Sequence, residues 1–78
     1  MKLLVHKFRM GDVEDPELFA AEPIYQWQQT EKGKWVMKHT QEQPVFFVNP
    51  SPEWLGYEVV IYAYFSDPDT TYFKLKWS

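Results

Sequence analysis

The sequence predicts a small single α+β domain spanning residues 1–78, with about three antiparallel strands and one or two helices packed on one face. Three observations carry this. Residues 57–65 alternate as a strand does, the segment around Trp27 and Trp35 is rich in helix formers, and 78 residues that are 45% hydrophobic can enclose one core and no second.

Taken in order, residues 3–10 read as a strand, with Leu4, His6, Phe8 and Met10 on an apolar face and Leu3, Val5, Lys7 and Arg9 on a face that becomes charged. Gly11-Asp12 ends it. Asp15-Pro16-Glu17 has the form of a helix start, a capping aspartate followed by a proline in the first turn, and a short helical turn carries Leu18 and Phe19. Pro23 then opens a second helix in which Ile24, Trp27 and Trp35 fall on one side and pack on the sheet. A β-hairpin turning at Glu31-Lys32-Gly33-Lys34 is the alternative, since Tyr25 and Trp27 alternate with glutamines and Trp35 and Met37 with Val36 and Lys38. The helix is favoured because Gln26, Gln28, Gln29, Glu31, Lys32, Lys34, Met37 and Lys38 are good helix formers, with a stop at Gln43-Pro44.

Val45-Phe46-Phe47-Val48 is a continuous apolar run, which predicts a short buried strand closed by the rigid loop Asn49-Pro50-Ser51-Pro52. In the next strand Val59, Ile61, Ala63 and Phe65 line one face, while Tyr57, Val60, Tyr62 and Tyr64 are placed on the other. Both faces are apolar or aromatic, so this strand belongs in the middle of a sheet, or on one whose second face meets a partner. The last segment starts as a capped helix at Ser66, Pro68 and Asp69, although Phe73, Leu75 and Trp77 alternate with lysines as in a strand. A short helix is the expectation there.

Composition removes several functions. Cysteine is absent, which excludes disulfides and thiolate metal sites. A formal net charge of −3 with dispersed acidic residues suggests neither a polyphosphate-binding surface nor a polyanion. No apolar run reaches the ~18 residues of a membrane span, and the Lys2-Leu3-Leu4-Val5 start does not read as a signal peptide. The expected location is cytoplasmic. The aromatic share, 19%, exceeds what one small core readily holds, and surplus rings on a surface mark a partner or self-association site.

Residues that carry chemistry are sparse. His6 and His39 share no metal-ligand spacing, and they read as solvated or hydrogen-bonded side chains. Asp12, Glu14, Asp15 and Glu17, like Asp67 and Asp69, sit beside prolines, where carboxylates serve as caps and turn residues. Ser51, Ser66 and Ser78 lack a nucleophile-elbow context, and Gly11, Gly33 and Gly56 lie too far apart for a phosphate-cradling loop. No enzyme activity, cofactor or metal is expected.

The order of elements, with DPELFAAEPIYQWQQTEKGKWVMKH in the middle and SDPDTTYFKLKW at the end, resembles small uncharacterised accessory proteins of tailed bacteriophages of the T4 type. The resemblance covers most of the chain and implies a phage-encoded accessory protein of the host-cell cytoplasm. It carries no functional residue across, because those proteins have no established chemistry.

What remains is binding. The sequence reads first as a module that docks on a host or viral protein through Trp54, Tyr57, Tyr62 and Tyr64, with Trp54, just beyond the proline loop, as the main anchor. A homodimer that covers the second sheet face is the related reading. Single-stranded nucleic acid is the runner-up, its bases stacking on Tyr57, Tyr62, Tyr64 and Phe46 and its phosphates meeting Lys7, Arg9, Lys74 and Lys76. The negative net charge weighs against it, because phosphate contacts dominate such affinities.

Overall fold

A computed structural model describes residues 1–51 and 56–77. Strand β1 (Lys2–Met10) is followed by helices α1 (Pro16–Gln28) and α2 (Glu31–His39), strands β2 (Val45–Pro50) and β3 (Tyr57–Tyr64), and helix α3 (Asp67–Trp77). The strands form one antiparallel sheet in the order β1-β3-β2, so the strand with two apolar faces is the central one, as its alternation requires. The predicted fold class holds. There are three helices because the central segment forms two.

That segment is neither a hairpin nor one helix. Asp15 caps α1 by accepting a hydrogen bond from the Leu18 amide at 3.4 Å, and the helix runs straight through Pro23, which was expected to open a new one. The reason lies in packing. Ala20 and Trp27 are both buried, with Ile24 between them at helical spacing, and they share one face only if the helix continues across the proline. The break comes at Thr30. Its hydroxyl donates to the Trp27 carbonyl at 2.6 Å, closing α1, and accepts from the Gly33 amide at 3.0 Å, capping α2. Gly33 lies directly against the end of α1: a Cβ there would overlap the Trp27 carbonyl oxygen and come within 2.8 Å of the Gln28 Cα. The glycine of EKGK therefore serves a helix–helix contact rather than a turn.

The core gathers Val5, Trp27, Val36, Ile61, Ala63, Phe65 and Phe73, drawn from two strands, all three helices and Phe65 just beyond β3. A second ring cluster extends it: Trp35 stacks on His39 at 4.3 Å and on Tyr72 at 5.3 Å, and lies 5.3 Å from Phe65 and 5.4 Å from Trp77. Part of the aromatic surplus is absorbed there, while Phe19, Tyr25, Phe46 and Phe47 stay exposed. The C-terminal segment is a helix, as expected, and Ser66 Oγ accepts from the Asp69 amide at 3.4 Å. Its alternating Phe73, Leu75 and Trp77 do not share a fate, since Phe73 is buried, Trp77 half-buried and Leu75 exposed.

Candidate binding face

The register of the sheet decides which side chains share a face. Between Leu4 and His6 the β1–β3 ladder carries a bulge, which shifts the alternation by one residue. Val5, His6, Phe8 and Met10 consequently turn toward the helices, and Leu4, grouped with His6 in the sequence reading, turns away with Lys2, Lys7 and Arg9. On β2, Phe46 stands opposite Ile61 and Phe47 opposite Val60, so Phe47 rather than Phe46 occupies the outer face.

Laid out across the strands, the outer face has four rows. Lys2 stands beside Tyr64; Leu4 and Val45 flank Tyr62; Lys7 and Phe47 flank Val60; Arg9 and Asn49 flank Glu58. No side chain in these rows is buried, whereas the buried residues of the helices join the other face. The centre is apolar. Phe47 and Tyr62 meet edge to face at 5.9 Å, and the Lys2 ammonium lies over both rings, 4.7 Å from the centre of Tyr62 and 5.4 Å from that of Phe47. Charge is segregated: Lys2, Lys7 and Arg9, three of the chain's eight lysines and arginines, line the β1 side, and Glu58 is the one acidic residue in the rows. A chain with a net charge of −3 thus presents a locally basic face.

Of the four residues expected to bind a partner, Tyr62 and Tyr64 lie on this face. Tyr57 does not: it has the parity of Val59 and Ile61, and strand alternation sends it to the other side. Trp54 lies outside the described residues. Phe46, expected in the stacking platform, also faces the other way, and Lys74 and Lys76 ride on α3, where Lys76 pairs with Glu31 of α2 at 3.3 Å. The reading of β2 as a buried strand is likewise corrected, because β2 is an edge strand and leaves Phe46 and Phe47 exposed. Sequence reasoning missed Phe47, Leu4 and Lys2. Two adjacent phenylalanines give no parity signal, and a bulge inside β1 has no signature in LLVHK.

On the helix side, a cavity of about 160 Å³ opens beneath β2, lined by Ile24, Trp27, Met37, Pro44, Phe46 and Ile61 among others. Its lining contains glutamines but no carboxylate, histidine or lysine, so it offers no acid or base. Among the described residues no three His, Cys, Asp or Glu side chains group as metal ligands, and no helix is long and apolar enough to cross a membrane.

His6 is stacked on Trp27 at 5.3 Å, and burial, reinforced by the nearby Lys32 ammonium, holds its pKa below the usual 6.5. The folded state therefore binds fewer protons at His6 than the unfolded chain does. This contribution is complete above pH 6.5 and is lost as pH falls from there through the lowered pKa. The melting temperature should drop between pH 7 and pH 5, and His6→Gln should flatten that part of the profile. An identical profile in the variant would show that His6 is not the titrating group.

Compared with known proteins, the chain matches no family model, no curated sequence and no solved structure. Its function must be argued from the face itself.

Proposed function

We propose that this protein is a non-enzymatic binding module that docks on a protein partner through the outer sheet face. The observation that supports this reading is the apolar centre formed by Leu4, Tyr62, Val45, Val60 and Phe47, bordered on one side only by Lys2, Lys7 and Arg9. Such a face complements a partner with an apolar patch and an acidic rim: the rings and aliphatic groups supply affinity, and the cations supply orientation and rate of encounter. The resemblance to T4-type phage proteins implies a host or viral protein as that partner.

Single-stranded nucleic acid is the second reading, favoured by the proximity of rings and cations on one face. The protein reading is preferred for two reasons. Three of the five central residues are aliphatic and offer no stacking surface, and the Lys2 ammonium already sits over the rings of Tyr62 and Phe47.

The test is capture of bound species by the tagged protein with and without nuclease, followed by titration of the retained partner with Tyr62→Ala and Lys7→Glu variants. Tyr62→Ala is expected to weaken the complex by ~2 kcal/mol, about thirtyfold, while circular dichroism shows a retained fold. Lys7→Glu is expected to slow association. Oligonucleotide binding whose logarithm falls steeply with log salt would replace the proposal with the second reading. Unchanged affinity in both variants would move the site off this face.

A further inference from the structure

A sheet ordered β1-β3-β2 has two outer edges, and they are built differently. The β1 edge bears Lys2, Lys7 and Arg9 and a bulge, all features that resist pairing with another strand. The β2 edge has none of these: Val45, Phe46, Phe47, Val48 and Asn49 carry no charge, and Phe46 and Phe47, on opposite faces, are 43% and 47% exposed.

The ladder also fixes which backbone groups face outward. The Ser51 amide donates to the Gly56 carbonyl at 3.0 Å, in the same register that pairs Pro50 with Tyr57. Antiparallel strands alternate between neighbours, so the odd-numbered residues of β2 bond to β3, and Phe46 and Val48 direct their amides and carbonyls outward. Pro50, which has no amide to offer, falls in the outward set, where an edge strand tolerates it.

The geometry points to a second copy of this chain as the occupant of that edge: β2 pairs antiparallel with the β2 of its copy, joining the two sheets about a two-fold axis. Among the pairings that keep the helices on one side, the one that sets no proline opposite Phe46 or Val48 places Phe46 opposite Val48 of the copy, and by symmetry Val48 opposite its Phe46. Each outward amide then meets an outward carbonyl, and Phe47 faces its own counterpart at the axis. No like charges confront one another, whereas self-pairing of β1 would set lysines and arginine against their copies. The two outer faces become continuous across the seam.

Sedimentation velocity over a concentration series, with amide hydrogen exchange at Phe46 and Val48, tests this. The expected result is a monomer–dimer equilibrium in which both amides become protected as concentration rises. Val48→Pro deletes the outward amide while leaving the bonds to β3, and it should raise the dissociation constant about tenfold or more. A monomer at every concentration overturns the inference, as does a dimer in which these amides exchange freely. Should the proline variant fail to fold, the exchange measurement on the unaltered chain still decides. Lys7→Glu lies on β1, at the far side of the sheet from the β2 edge, so partner binding and dimerisation fail separately.

Discussion

Phe65→Ala is expected to cost 3–5 kcal/mol, the range for removing a buried phenylalanine. Phe65 is fully enclosed, 5.9 Å from the Phe73 ring and 5.3 Å from that of Trp35, and it joins the end of the sheet to α2 and α3. A chain of this size holds roughly 4–12 kcal/mol in total, at ~0.05–0.15 kcal/mol per residue. The loss is therefore roughly a quarter of the total at the top of that range and all of it at the bottom, where the variant would be at its unfolding midpoint in plain buffer. Urea titration measures the loss, and Phe65→Leu, which keeps most of the volume, should recover the larger part of it. A loss below ~1 kcal/mol would mean that the site collapses around the smaller side chain and that the ring cluster is not the keystone of the core.

Gly33→Ala is expected to destabilise by roughly 2–3 kcal/mol, lowering the melting temperature on the order of 10–20 °C. The sign is informative. Glycine inside a helix is ordinarily the weaker choice by ~0.5–1 kcal/mol, so propensity alone predicts a gain from alanine. At this position the added methyl meets the carbonyl of Trp27, a backbone atom that cannot rotate aside. Relief requires α2 to move off α1, which loosens the packing around the buried Val36 and Trp27. Thermal unfolding followed by circular dichroism gives the answer directly, and a melting temperature that holds or rises would show that the two helices are not locked at Gly33.

How far the fold was legible depended on whether a residue's environment is set locally. β3 was read correctly because Val59, Ile61, Ala63 and Phe65 repeat with period two and are buried together. The start of α3 was read from the serine cap, a local hydrogen bond, despite a strand-like pattern further on. Features set by tertiary contact were hidden. Helix α1 crosses Pro23 because Ala20 and Trp27 are both buried, and no local rule anticipates that burial. The hairpin alternative at EKGK survived in sequence because a glycine that admits a neighbouring helix and a glycine that allows a turn are the same letter. For the binding face, Tyr62 and Tyr64 were found from alternation, but Tyr57 was assigned against its own parity. The cations were harder still: net charge averages over the whole surface and conceals the concentration of Lys2, Lys7 and Arg9 on one side.

The place of β3 in the sheet also governs the order in which the molecule can assemble. Strands β1 and β2 share no ladder, and among the described residues each pairs with β3 alone. As the polypeptide leaves the ribosome, β1 emerges well before β3, the strand it pairs with, while α1 and α2, held by contacts a few residues apart, can form at once. The hairpin of β2 with β3 comes next, and only then can Lys2 meet Tyr64 and Met10 meet Tyr57 across most of the chain's length. That closure spans the longest stretch of sequence in the sheet, so β1, made before its partner, is expected to be the last strand seated.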